Sequence, residues 1–176
     1  KTKSIESTLW SSANKLRGSV EWSEYKHIIL SLIFLKFADV KFNKQRSQLI
    51  KEGKEKYIEK IEFYSQDNVF FVPETARWQY LIDNASNKDI SQKIDIALAE
   101  VEKNNSTLSG ALPSNYFARI DLEISKIKKL LDDINNLENE MDNLDLIGRV
   151  YEYFLSKFSQ KEGKEGQYYT PKHVVK

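Results

Sequence analysis

The segment Gln167-Tyr-Tyr-Thr-Pro-Lys172 combines residue types that can form a small ligand site. Thr170 is a suitable N-cap for a helix, and Pro171 then occupies the first helical position, where its missing N–H costs nothing. The free backbone N–H groups of such a helix start favour a carboxylate or phosphate ligand. The two tyrosines before it offer flat surfaces for an adenine ring. The same spacing also fits an ordinary capped helix with core tyrosines, and spacing alone does not decide between them.

A helix and a polar linker precede this segment and determine where it lies. Apolar residues from Leu144 to Phe158 recur at steps of three and four, which predicts one face of an amphipathic helix turned toward a core. The next residues, 159–167, are polar and contain Gly163 and Gly166, so we expect a surface linker there. The helix is therefore expected to end near Phe158.

The remaining sequence predicts an all-α, or mainly α, fold in which a helical bundle surrounds one buried central helix. This central helix is expected from about Ser23 into the forties, because apolar side chains between Tyr25 and Phe37 point in nearly every direction around its axis. Apolar residues at helical spacing predict further helices, near residues 5–16, 90–101 and 116–137. The aromatic-rich segment 64–72 is compatible with one small β-hairpin.

Two residues are candidates for helix starts. Asn87 can cap the helix near 90–101, and Pro73 can begin a helix that carries Trp78 and Leu81. The aromatic side chains between Phe63 and Tyr80 are dense enough to suggest base stacking, but core packing explains them as well.

Composition excludes several kinds of site. The chain has no cysteine, which excludes disulfides and thiolate zinc sites. Its two histidines, His27 and His173, are far apart and lack metal-type spacing, so we predict no metal. The most apolar run, from Ile28 to Phe37, is too short to span a bilayer, which takes ~20 residues. With no visible signal peptide at Lys1, we expect a soluble, cytoplasmic protein without membrane contact.

Charge is balanced overall but unevenly distributed. Lys and Arg total 27 against 26 Asp and Glu, so net charge gives no argument for nucleic-acid binding. Residues 36–60 nevertheless contain eight basic side chains against four acidic ones, whereas residues 121–145 contain eight acidic against three basic. The basic run is suited to contacts with phosphate groups. Solvated helix faces also explain both runs.

The order of several segments resembles a known family. GRVYEYFL (148–155), a Gly/Lys/Glu linker and GQYYTPKHVV (166–175) resemble a junction in the modification (methyltransferase) subunit of type I restriction-modification systems. At that junction the N-terminal helical domain meets the domain that transfers methyl groups from S-adenosyl-L-methionine (AdoMet) to adenine N6. Further segments match in the same order, at 9–18, 24–42, 70–81 and 94–113, so the resemblance covers nearly the whole chain.

The resemblance implies a domain division and a set of partners. Residues 1–160 would be the N-terminal helical domain, and 161–176 the linker and the start of the AdoMet-dependent methyltransferase domain. In the family, the segment (Q/E)-aromatic-aromatic-T-P contributes to the AdoMet pocket. Carried over by position, the cofactor-binding residues would be Gln167, Tyr168, Tyr169, Thr170, Pro171 and Lys172. The family also implies a specificity subunit, a second modification subunit, a restriction subunit and double-stranded DNA as partners.

Two motifs required for methyl transfer are absent from this chain. The six glycines never form a G-x-G pattern, and the three prolines are never adjacent, so neither a glycine-rich AdoMet turn nor an Asn/Asp-Pro-Pro-aromatic motif is present. We therefore predict no catalytic residue here and an inactive chain on its own. Two alternatives stay open: a freestanding helical interaction module, and part of a single chain that fuses methylation with cleavage.

Overall fold

The computed structural model describes Asn14 and residues 22–136. Six α-helices lie within residues 22–136: α1 (Trp22–Lys51), α2 (Glu62–Ser65), α3 (Trp78–Asp83), α4 (Ile90–Asn104), α5 (Phe117–Ile120) and α6 (Ile124–Asn135). Three short 3-10 helices join them, at Glu55–Tyr57, Glu74–Ala76 and Ser106–Leu108. Residues 22–136 contain no β-strand, so the mainly α prediction is confirmed.

Helix α1 is the centre of this bundle. It has 30 residues, a length of roughly 45 Å at 1.5 Å per residue. Every residue from Ile28 to Lys36 is buried, and the side chains of Leu30, Leu32 and Ile33 are completely inaccessible. A helix that is apolar on all sides is stable in water only when other helices surround it. The predicted central buried helix is confirmed, and it continues beyond the forties to Lys51.

Helices α4 and α6 cover this core with their apolar faces. The predicted face of α4 is confirmed, because its five apolar members are all fully buried: Ile90, Ile94, Ala97, Leu98 and Val101. The predicted cap is wrong. Helix α4 begins at Ile90, with Asp89 at the N-cap position, and the Asn87 side chain instead donates a hydrogen bond to Asn84.

The apolar stripe near 116–137 forms two helices within the described residues rather than one. Asp121 has a φ of +54° and lies between α5 and α6. Aspartate tolerates this left-handed conformation better than most residues, so the chain turns there without glycine. Phe117, Ile127 and Leu131 still face the core, because the turn changes the helix direction and not the apolar pattern.

No β-hairpin forms at 64–72. Residues 62–65 are helical, and residues 69–73 have no regular structure. In place of a second strand, the buried Asn105 side chain accepts a hydrogen bond from the Phe71 N–H and donates one to the Phe71 carbonyl. One amide side chain therefore satisfies the two backbone groups that a paired strand would have satisfied. Pro73 precedes a 3-10 helix, and α3 begins only at Trp78.

Helix α1 should be sensitive to cavities in its buried section. Replacing Leu32, which is fully buried, with alanine is expected to lower the free energy of unfolding by about 2–5 kcal/mol. The matched control is Ile96→Ala on α4, where the side chain is 50% exposed, and we expect a change within ~0.5 kcal/mol. Urea denaturation of the two variants measures both values. Equal effects would contradict the central position of α1.

Candidate nucleic-acid interface

The residues predicted to bind AdoMet, Gln167 to Lys172, lie outside the described residues, as does the predicted helix near 144–158. Within the described part, the remaining candidate is the basic run at 36–60, which covers the second half of α1 and the turns after it. The five cations of this run that lie on α1 differ in burial and in partners, and they occupy three different environments.

Lys36 belongs to the core. Its residue is 3% exposed, and its ammonium group lies 5.4 Å from the centre of the Trp78 ring. A cation over an indole face is attracted by the negative charge of the ring surface. Because this group is buried, Lys36 is not available for phosphate contacts, and the basic run is effectively shorter than the sequence indicates.

Lys41, Lys44 and Lys51 lie on one outer face of α1. Their spacings of three and seven residues place them within about 80° of one another around the helix axis. Lys44 and Lys51 are exposed and Lys41 is half-buried. None of the three forms an ion pair with a described residue. We call this set of three side chains the basic stripe of α1.

A small cleft adjoins the basic stripe. It has a volume of about 80 Å³ and is lined by Phe37, Ala38, Lys41, Asn68 and Phe70. The Lys41 ammonium group lies 5.4 Å from the centre of the Phe37 ring, and Phe70 packs against the buried Phe34 at 5.7 Å. Aromatic surface beside a lysine suits both the ring and the phosphate of a nucleotide.

Arg46 points elsewhere. It lies two residues after Lys44, so the two side chains project roughly 200° apart around α1. Arg46 belongs to the same basic run in the sequence as Lys41 and Lys44, but the structure does not bring it to their face. Burial of its Nε atom also distinguishes Arg46 from the exposed Lys44.

Asp39 fixes α1 against the helices that support this face. Its carboxylate accepts hydrogen bonds from the Trp78 N–H and from Asn43 Nδ2, both at 3.0 Å. Asp39 thus satisfies the first backbone donor of α3, which has no side-chain bond from its own N-cap residue, Arg77. The Trp78 indole N–H in turn donates to Asn135 on α6 at 3.0 Å. Sequence reasoning missed Asp39, since nothing in its neighbourhood signals a partner 39 residues away.

Tyr116 fixes the beginning of α1. Its phenol donates to the Glu24 carboxylate and is also within hydrogen-bond distance of the Glu24 carbonyl. Burial raises the pKa of Tyr116, and the hydrogen bond to Glu24 raises it further. The phenol therefore keeps its proton at neutral pH and remains a donor. Asp95 holds the other side of this contact by accepting hydrogen bonds from three backbone N–H groups, those of Tyr116, Phe117 and Ala118.

Two further findings limit the chemistry of the described residues. They contain no group of three or more His, Cys, Asp or Glu side chains that could hold a metal ion. None of their helices is both long enough and apolar enough to cross a membrane.

The comparison with known proteins decides the family. The model of the HsdM N-terminal domain matches residues 5–137, more than half of the sequence. The chain belongs to the HsdM N-terminal domain family. A second model, N-6 DNA Methylase, matches residues 142–176. The resemblance to type I modification subunits is therefore confirmed.

Three relatives carry closely related names. The type I restriction enzyme MjaIX methylase subunit of Methanocaldococcus jannaschii is 32% identical, over 99% of this chain and 34% of the relative. The HindI methylase subunit of Haemophilus influenzae is 34% identical, over 59% of this chain and 28% of the relative. The MpnII methylase subunit of Mycoplasma pneumoniae is 20% identical, over 97% of this chain and 38% of the relative. The HsdM-family chain described here thus spans about a third of the length of these relatives.

Asp39 should contribute measurably to stability. Replacing it with alanine removes the acceptor for the Trp78 N–H, and an unsatisfied buried donor costs about 1–3 kcal/mol. The control is Asp83→Ala at the end of α3, where an exposed carboxylate accepts, among the described residues, from the Gln79 side chain alone. We expect a change within ~0.5 kcal/mol. Chemical denaturation measures both, and an Asp39 variant as stable as the Asp83 variant would contradict the capping role.

Proposed function

We propose that this chain is the N-terminal part of the modification subunit of a type I restriction-modification system. The full subunit would transfer a methyl group from AdoMet to adenine N6 in double-stranded DNA. The observation that carries this proposal is the succession of two family matches in one chain, the HsdM N-terminal domain over 5–137 and N-6 DNA Methylase over 142–176. The relatives are named as methylase subunits, which favours a subunit over a freestanding interaction module.

The motifs that this chain contains and lacks indicate which part of the subunit would carry out which role. This chain contains neither the glycine-rich turn nor the Asn/Asp-Pro-Pro-aromatic motif, so the reacting groups would come from residues after Lys176. The described helices would supply a rigid support. A specificity subunit would choose the DNA site, and a second modification subunit and a restriction subunit would complete the assembly. We propose that the helical part contributes contacts to these subunits and to DNA beside the target adenine.

The cofactor pocket would begin at Gln167, Tyr168, Tyr169, Thr170, Pro171 and Lys172. Thr170 would cap a helix whose free N–H groups face the carboxylate of AdoMet, while a tyrosine ring would lie against its adenine. This assignment rests on the resemblance and on the residue types. It is compatible with the start of the methylase match at residue 142.

Substitution in this segment should weaken cofactor binding. In the full-length protein, Thr170→Val removes the capping oxygen while keeping the side-chain shape, and we expect AdoMet affinity to fall about fivefold to tenfold, the equivalent of one helix cap. Tyr169→Ala should lower it at least as much. The control is Lys164→Ala in the linker, which should leave affinity unchanged. Calorimetric titration with AdoMet measures all three, and normal affinity in both pocket variants would exclude this segment from the pocket.

The basic stripe of α1 is the part of the described structure best suited to DNA. Lys41 lines the cleft, and Lys44 lies about one turn further along α1. Neither lysine forms an ion pair with a carboxylate among the described residues. Each phosphate contact releases counterions, so such a site makes binding depend on salt concentration. DNA running along this face would meet Lys41, Lys44 and Lys51 in succession, over roughly 15 Å of helix.

Removing two charges from the stripe should change the salt dependence of DNA binding. We expect the double substitution Lys41→Gln and Lys44→Gln in the assembled enzyme to reduce the slope of log affinity against log salt by about 2. The control with the same loss of charge is Lys88→Gln with Lys103→Gln, two exposed lysines at the two ends of α4. If affinity and slope were the same in the stripe variant as in the unmodified enzyme, the stripe would not contact DNA.

A further inference from the structure

The cleft beside the basic stripe is formed by two separate parts of the chain. Phe37 and Lys41 lie one turn apart on α1, whereas Asn68 and Phe70 belong to the segment that follows α2. Phe70 packs against the buried Phe34 of α1, with their ring centres 5.7 Å apart. The two walls are therefore joined by direct aromatic contact next to the opening.

The segment that carries Phe70 is held on both sides of that residue. The neighbouring side chains of Val69 and Phe71 are buried. The Val69 N–H donates to the Tyr64 carbonyl at 3.0 Å, and the Asn105 side chain satisfies both backbone groups of Phe71. The Phe70 ring thus has a defined place in the wall, and a site formed before its ligand arrives loses less entropy on binding.

The size of the cleft limits what can enter it. Its volume of about 80 Å³ is roughly half that of a ~150 Å³ protein cavity that encloses benzene. An open cleft of this size admits part of one six-membered ring more readily than two fused rings. Phe37 and Phe70 are both half-buried, so an entering ring would contact aromatic surface, which is a favourable partner for any nucleobase.

The polar groups of the cleft favour a nucleotide over an apolar side chain of another protein. Lys41 supplies a cation that forms no ion pair with a described residue, and this charge suits a phosphate. Asn68 is exposed, and its amide forms no hydrogen bond with another described residue. An amide both donates and accepts. It can therefore pair with one donor and one acceptor on the Watson–Crick edge of thymine or cytosine.

We propose that this cleft binds one unpaired pyrimidine base of DNA, with the ring against Phe37 and Phe70, the Watson–Crick edge at Asn68 and a phosphate at Lys41. Such a base arises in the proposed function, on which this site rests, because extrusion of an adenine from the duplex leaves its partner thymine unpaired. The basic stripe alone would bind phosphates of any sequence. The cleft adds a preference for an unpaired pyrimidine.

Two single strands that differ only in their bases test this preference. Fluorescence anisotropy measures how tightly the assembled enzyme binds an oligothymidylate and an abasic strand of equal length and charge, at one salt concentration. The basic stripe contributes equally to both affinities. We expect the oligothymidylate to bind about tenfold more tightly, the contribution of one stacked base. Equal affinities would overturn the site.

A second pair of strands identifies where the unpaired base comes from. One duplex carries a single unpaired thymine, and the other carries an abasic residue at the same position. A preference for the unpaired thymine in this pair indicates a base extruded from paired DNA. A preference confined to the single strands indicates DNA whose strands are already separated.

Two substitutions assign the preference to the aromatic walls. Phe37→Leu and Phe70→Leu keep an apolar side chain and remove the aromatic surface. Each should reduce the preference for oligothymidylate from about tenfold to about threefold or less, without changing the affinity for the abasic strand. The matched control is Phe63→Leu, which changes a half-buried phenylalanine outside the cleft and should keep the preference.

A third substitution removes the amide without straining the backbone. Asn68 has a φ of +61°, a conformation that glycine adopts readily. Asn68→Gly should weaken oligothymidylate binding about threefold, the contribution of one neutral hydrogen bond, and leave binding of the abasic strand unchanged. Asn115→Gly is the control, because Asn115 is also exposed with a φ of +51° and lies outside the cleft. Since both side chains are exposed, this comparison does not depend on a variant that fails to fold.

Three results with the variants would overturn the site: an unchanged preference in both phenylalanine variants, an equal loss of affinity for the abasic strand, and an equal loss in Asn115→Gly. Methylation of duplex DNA by the unmodified enzyme is measured in parallel. Methylation without a preference for oligothymidylate would overturn the cleft and leave the proposed function standing. Absence of methylation would overturn the proposed function, while the strand preference still decides whether the cleft binds a pyrimidine.

Discussion

Burial of the middle of α1 on every side is the constraint on which the rest of the structure depends. Residues Ile28 to Lys36 are buried on every side. The surrounding helices must therefore pack against α1 from all directions, and this requirement limits where each of them can lie. The exposed residues of α1 that could bind a partner therefore lie in its second half. The basic stripe begins only where the helix emerges from the core, near Lys41.

Polar side chains from distant parts of the sequence then fix the surrounding helices. None of α2 to α6 receives a side-chain hydrogen bond from its own N-cap residue. Asp39 satisfies the start of α3, Asp95 the start of α5, and Asn105 the extended segment at Phe71. These three buried groups connect elements that are far apart in sequence, so helix initiation here depends on tertiary packing.

The sequence was sufficient for the elements with a strong apolar period and insufficient for those fixed by tertiary contacts. The central helix and the face of α4 follow from apolar spacing alone, since burial is what that spacing encodes. The break at Asp121 and the absence of a hairpin near Phe71 could not be found in this way, because one depends on a backbone conformation and the other on the Asn105 side chain.

The candidate site shows the same division. Counting charges over 36–60 gave a single basic run, but Lys36 is buried over Trp78 and the Nε atom of Arg46 is buried, and neither fact follows from the order of charges. The AdoMet residues from Gln167 to Lys172 were assigned by resemblance, and they remain a prediction.

We propose that this chain is part of a DNA adenine methyltransferase subunit. The most direct measurement is sequencing of DNA from cells that express the full-length subunit with its specificity subunit, read for N6-methyladenine. We predict methylated adenine at one defined sequence, and its loss when the modification subunit is omitted. Unmethylated DNA in the presence of both subunits, or methylation that persists without this one, would contradict the assignment.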